Sequence, residues 1–257
     1  MSKLLDKIKK QSEAPSVQMG FRRTPAAAST PTILLIAGIS ADGPTGNIKK
    51  IDGADALLIN IASPEQPAKN LQKITASLGD IPWGMNLEES DIVAEGLAEA
   101  GCDFVVFSPA SPVSGAPKDE KTGKIIQVES TLDDGLITTL NDLPVDAVIA
   151  TDIYGEAGAL SYHQLMLIRY LAFLVRKPLI VPVPASVSGD ELKALWDAGV
   201  EAVLVPVDVS KDENLKELKA IAVKLPPRKA DKQKKNILLP RMEEKAAPPP
   251  DEDDDDE

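Results

Sequence analysis

DAVIATDIYGEAGALSYHQLMLIRYLAFLVRKPLIVPVP, residues 146–184, holds the pattern that decides the architecture. A short apolar run (146–152) leads through a glycine-bearing loop into a segment of helical length (159–175), and a second short apolar run (178–184) follows. Neither run alternates apolar with polar residues. Continuous runs of four to eight residues are what parallel strands covered on both faces look like, and parallel strands need a crossover between them.

The same theme recurs in both directions from this stretch. Further runs are ILLIAGI (33–39), DALLINI (55–61), PWGMNL (82–87), DFVVFS (103–108), KIIQVES (124–130) and EAVLVPV (201–207), which makes eight strands in all. Helical segments are expected at 91–100, 133–140, 159–175, 189–198 and 214–225. The unit between the first two strands is the weakest, because SADGPTGNIKKIDG (40–53) is glycine-rich and short of helical periodicity. Eight β/α units over 32–225 fit a compact (β/α)₈ barrel, the TIM barrel; the alternative is an open, doubly wound sheet, since a βαβ string alone does not dictate closure. Segment 159–175 is the most apolar in the chain, yet it carries His163, Gln164 and Arg169, and falls short of the ~20 apolar residues of a membrane span. It reads as a buried barrel helix.

Two flanks surround this body. Residues 1–31 form an arm and linker: Leu4, Leu5 and Ile8 sit at helical spacing among Lys3, Lys7, Lys9 and Lys10, and a Pro- and Ala-rich stretch follows. Residues 226–257 comprise a basic linker, the apolar island NILLPRM (236–242), expected to dock back on the domain, and a tail expected to be disordered from Ala246 to Glu257, wholly acidic from Asp251 on. The formal charge of −12 is therefore a sum of unlike parts. The body carries 28 acidic against 15 basic residues, whereas each basic flank is at +4 and the tail at −7. A body of that sign repels phosphate backbones, so nucleic acid is not an expected partner.

One cysteine, Cys102, and one histidine, His163, exclude an internal disulfide and a structural zinc cluster. With no apolar leader, the expected compartment is the cytoplasm. In a barrel, working residues project from the C-terminal strand ends and the loops beyond. Those positions hold Ser40, Asp42, Asn60, Asn86, Glu88, Ser108, Glu129, Thr151, Asp152, Ser186, Ser188, Asp208 and Ser210. No strand carries a lysine at its C-terminal end for Schiff-base chemistry. Proton transfer falls to Glu129, Asp152 or Asp208, or to His163 if its loop folds inward. Asp42, Glu88, Glu129, Asp152 and Asp208 together would suit Mg²⁺, although helix caps attract the same residue types. Ser186, Ser188 and Gly189 precede a helix and suit an anion, with helix capping by Ser188 the competing role. Tyr154 is the tyrosine expected to face a ligand, while Tyr162 and Tyr170 are expected to be covered by ordinary packing.

At strands 3 to 8 the chain resembles the flavin-dependent nitronate monooxygenase (2-nitropropane dioxygenase) barrels. IPWGMNL (81–87) is similar to that group's Pro-Phe-Gly-Val-Asn-Leu run, AGCDFVVFSPASP (100–112) to its fourth strand, and VDAVIATDIYGEAG (145–158) to the segment leading into Glu-Ala-Gly-Gly-His. The resemblance implies flavin mononucleotide as cofactor, with Asn86 lining its pocket, Glu156 and Gly158 in the loop above, and its phosphate held within 178–208. Ala159-Leu160 stand where the group has Gly-His.

Three functional expectations result. The first is a barrel binding a phosphorylated small molecule, flavin mononucleotide for instance, through Asn86, Ser108, Glu156, Gly158, Ser186, Ser188, Gly189 and Asp208. The second is a non-catalytic barrel that meets a protein partner through its arm or tail. The third is a Mg²⁺-assisted lyase or hydrolase.

Overall fold

The computed structural model describes residues 2–12, 32–40, 51–60, 74–87, 97–113, 116, 117, 119, 121–154, 158–207 and 215–226. Eight strands are present: β1 (Leu34–Ser40), β2 (Ala56–Asn60), β3 (Trp83–Asn86), β4 (Phe104–Phe107), β5 (Gly123–Glu129), β6 (Ala147–Thr151), β7 (Leu179–Pro182) and β8 (Ala202–Pro206). Every neighbouring pair is parallel, and β1 pairs with both β2 and β8. The sheet is thus a closed barrel, which excludes the open doubly wound alternative. The described helices are α1 (Lys3–Ser12), α2 (Asp134–Thr139), α3 (Tyr162–Leu174), α4 (Gly189–Ala198) and α5 (Leu215–Lys224).

Because side chains alternate along a strand, each strand feeds two cores. Leu35, Ala37, Leu57, Ile59, Val105, Val148 and Val203 face outward and pack with the helices. Leu34, Ile36, Ala56, Leu58, Phe104, Val106, Ile125, Ala147, Ile149, Ile180 and Ala202 fill the barrel interior. Both faces are apolar, which is why the runs do not alternate. Gly84 belongs to the interior row, and a Cβ there would lie 2.3 Å from the Phe104 ring, so glycine makes room for the one large aromatic inside the barrel.

Helix α1 closes the N-terminal end. Leu4, Leu5 and Ile8 are buried in the interior cluster, and Leu5 Cδ1 occupies the space over Gly123, 2.6 Å from where a Cβ would stand. The Asp103 carboxylate accepts from the Ser2 hydroxyl (2.7 Å) and from the backbone N–H groups of Lys3 (2.7 Å) and Leu4 (3.0 Å), so the first orphan donors of the helix end on a negative charge. The apolar face of the arm is therefore already occupied within the fold. Any partner contact through the tail concerns residues outside those described.

Asp103 is one of four acids that each stand just before an even-numbered strand, with Asp55, Asp146 and Glu201. The other three receive the backbone N–H of the preceding strand: Leu35 to Asp55 (3.0 Å), Lys124 to Asp146 (2.9 Å) and Leu179 to Glu201 (2.8 Å). Asp55 also holds the Lys219 ammonium at 2.5 Å, tying α5 to the start of β2. These acids serve the N-terminal rim, where barrels carry stability determinants rather than chemistry.

Candidate functional site

At the opposite end the interior rows continue upward from the apolar core into a different set of side chains. Above Ile36 comes Ser40, above Leu58 comes Asn60, above Gly84 comes Asn86, above Ile125 come Gln127 and Glu129, and above Ile149 comes Thr151. Register holds Ser40 beside Asn60, Asn60 beside Asn86, and Glu129 beside Thr151. The Gln127 side-chain amide donates to Asn86 Oδ1 at 3.4 Å, and the Thr151 hydroxyl donates to the Val128 carbonyl at 3.2 Å. Gln127 is the deepest of the set and is buried. Strands β7 and β8 complete the ring with Pro182, Leu204 and Pro206, which offer no side-chain hydrogen bond. The mouth is consequently two-sided: a polar arc from β1, β2, β3, β5 and β6, interrupted at β4 by Val106, and an apolar wall from β7 and β8.

Asp152 follows β6 and is exposed, with a φ of +59°, the only positive value among described non-glycine residues. That region costs an L-residue energy, and aspartate is one of the few side chains that tolerate it. Glu129 is exposed at the end of β5, with the Thr131 hydroxyl at 3.5 Å from its Oε2. The two acids therefore stand at the ends of adjacent strands. His163 is exposed in the first turn of α3, on the helix surface and not among the interior rows. Ser108, just past β4, accepts the Ala110 N–H at 3.2 Å and so stabilises its own turn. Glu156, Asp208, Asp42, Glu88 and Ser210 lie outside the described residues. Among the described residues no three of His, Cys, Asp or Glu gather closely enough to hold a metal ion.

The loop after β7 is organised around α4. Ser188 is its N-cap, accepting from the Glu191 N–H at 3.2 Å, and the Glu191 carboxylate reaches back to the Ser188 N–H at 2.8 Å, a complete capping box. The other Glu191 oxygen accepts from the Leu160 N–H at 2.8 Å. These backbone donors hold the Glu191 carboxyl below the ordinary carboxylate range. Gly189 is required by packing, since a Cβ there would lie 2.9 Å from Ile221 Cδ1 on α5, and Ser186 is exposed. Pro184 supplies no N–H. The helix end that would face an incoming anion thus already carries an anion.

Tyr154 is half-buried beside this box. Its hydroxyl is buried without a hydrogen-bond partner among the described residues, and burial first, then the Glu191 charge, push its ionisation upward. Gln127 is the one member of the arc absent from the strand-end candidates. Its signal was available: a polar residue two before Glu129 lies on the same face of the strand.

No family model matches the chain, and no curated protein matches it. Solved structures do. Two mutant forms of the tryptophan synthase alpha-subunit from the hyperthermophile Pyrococcus furiosus are 17% identical with a TM-score of 0.56, covering 75% of this chain and 97% of theirs. The structure of that alpha-subunit reported with calorimetry is 15% identical with a TM-score of 0.54, covering 76% and 98%. At these identities the likeness shows the fold. It also corrects the resemblance to nitronate monooxygenases: the neighbours are tryptophan synthase alpha-subunit barrels, and neither a family model nor a curated relative supports the flavin group. The short motifs that suggested it have local causes, such as Gly84 yielding to Phe104 and Gly158 supplying a φ of +66°. No helix among the described residues is long and apolar enough to cross a membrane.

Proposed function

We propose that the protein binds a small, uncharged or cationic molecule rich in hydroxyl, amide or amine groups at the C-terminal mouth of the barrel. The observation that carries this reading is the convergence of Asn60, Asn86, Gln127, Glu129 and Thr151 from four strands, with the part-buried Gln127–Asn86 amide pair at its base. Amides placed inside a barrel cost free energy unless hydrogen-bonded. A set of amide, carboxylate and hydroxyl side chains gathered at one mouth favours a polar ligand. Sign follows from the charged groups: Glu129 and Asp152 are both acidic, and no Lys, Arg or His stands at a described strand end. Any acid–base chemistry at this site rests on Glu129 and Asp152, the latter in a strained backbone of the kind that clusters at working sites. The wall of Pro182, Leu204 and Pro206 takes the apolar edge of the ligand.

A phosphorylated ligand, flavin mononucleotide included, is the competing reading through Ser186, Ser188 and Gly189. Its phosphate would meet the Glu191 carboxylate at the N-terminus of α4, so the described residues of this quadrant do not fit that group. The polar arc therefore carries the proposal.

The test is a thermal-shift screen of the full chain against polyols, amines and amides in one set and phosphorylated metabolites and flavin mononucleotide in another. Saturation at a hundredfold excess over Kd adds about 2.7 kcal/mol, which at ~2–4 °C per kcal/mol for a chain of this size is a Tm rise of ~5–11 °C. The expected hits lie in the first set and are lost in Gln127→Leu and weakened in Glu129→Gln. Hits confined to phosphorylated compounds and indifferent to both substitutions would refute the reading.

A further inference from the structure

The chain has two Trp, three Tyr and four Phe, only 4% of its residues, yet three of these aromatics stand on the exposed face of one helix. Tyr162, Met166, Tyr170 and Phe173 recur at helical spacing along α3 and are 87%, 69%, 45% and 62% exposed. Leu136 on the neighbouring α2 is 56% exposed. Helix α3 is packed on the barrel through its other side, by Ile168 and Leu171. It therefore carries apolar residues on two opposite faces although only one meets the core, contrary to the buried helix expected from its composition and to the expected covering of Tyr162 and Tyr170. A helix of that kind is normally covered on both sides.

The residue types are those of a protein interface: Tyr, Phe and Met, with Arg169 at the edge. At roughly 150–250 Å² for a whole aromatic side chain, the exposed fractions leave on the order of 600 Å² of largely apolar side-chain surface, close to the ~800 Å² each partner contributes to a standard interface.

Charge on the two flanks of the stripe selects the occupant. On the α2 side, Asp133 caps α2 and Asp134 accepts a hydrogen bond from the Tyr170 hydroxyl. On the α4 side, where Ala172 packs against Gly199, stands Arg169. Arg169 and Tyr170 are adjacent in sequence, so the basic and acidic flanks lie at the same height along the helix. A twofold axis parallel to α3 lays the Arg169 flank of one copy on the Asp133–Asp134 flank of the other, whereas an antiparallel arrangement sets Arg169 beside Arg169.

We propose that the protein forms a homodimer through the α2–α3 face, with the two α3 helices parallel and Arg169 of each copy opposite Asp134 of the other. This inference does not depend on what the barrel mouth binds. The test is sedimentation velocity on the full chain across the micromolar range, with far-ultraviolet circular dichroism as the folding control. The expected mass is twice the 27.4 kDa chain. Phe173→Asp is expected to give a single-chain mass with an unchanged far-ultraviolet spectrum, since its side chain is exposed. Arg169→Asp and Asp134→Arg are each expected to weaken the dimer about tenfold, and the two combined to restore it. A wild-type protein of single-chain mass throughout the range, or a dimer indifferent to Phe173→Asp, overturns the proposal; failure of the combined charge swap to restore association overturns the parallel arrangement.

Discussion

Seating α1 in the floor of the barrel makes a coupled pair of Leu5 and Gly123. Leu5 is 2% exposed, and its Cδ1 lies 2.6 Å from the position of a Cβ on Gly123, about 1 Å inside ordinary carbon contact. Gly123→Ala therefore overpacks the floor, at a cost of ~1–3 kcal/mol. Leu5→Ala leaves a cavity there and costs ~2–5 kcal/mol. In the double variant the methyl added at position 123 occupies part of the volume vacated at position 5. The two costs are then expected to fall short of additivity by ~1–2 kcal/mol, the coupling typical of residues in contact. Urea unfolding of the four proteins, followed by circular dichroism, measures the cycle. Additivity within ~0.5 kcal/mol would refute the seating of α1 against β5, because residues that do not touch have no reason to compensate.

Glu191 provides a pH signature. Its folded ionisation is lowered by the Ser188 and Leu160 N–H groups, so its stabilisation is full above the ordinary carboxylate range and is lost as pH falls through that range toward the lowered native value. Glu191→Gln keeps the capping box and is expected to lower stability at neutral pH by ~0.3–1 kcal/mol, the range for a negative charge at a helix N-terminus, with the gap to wild type closing in acid; a constant gap would contradict the assignment. Cys102 is buried and its thiol is pushed up to about 12, chiefly by burial. It is expected to resist thiol reagents in the native protein and to react at the rate of unfolding, which stopped-flow labelling in urea measures; fast native labelling would contradict its placement.

The barrel was legible because strand runs and turn spacing carry it directly: all eight runs became strands, and closure followed from β1 pairing with β8. What a run cannot show is which residues face inward, since interior and helix-facing rows are both apolar. Glu129, Thr151 and Asn86 were visible as strand ends, while Gln127, two residues deeper on the same face of the run, was passed over although its spacing from Glu129 was in the sequence. The acids before even-numbered strands stood only as the first residues of their apolar runs, and their role in holding the preceding strand needed three dimensions. Helix α3 misled for a related reason. An apolar helix reads as buried whether its second face is covered by its own chain or left open, and composition does not distinguish the two. The flavin resemblance rested on short strand-and-turn motifs whose glycines answer to Phe104 and to a left-handed turn, needs shared by barrels of any function.

The most direct test of the polar mouth is an NMR titration of the side-chain amide signals of Asn60, Asn86 and Gln127 with the best neutral or cationic hit from the thermal screen. All three signals are expected to shift together along one saturating curve, with the backbone signals of Ser186 to Gly189 unmoved. Shifts confined to Ser186–Gly189, or the three amides remaining still at saturation, would contradict a ligand held by the arc.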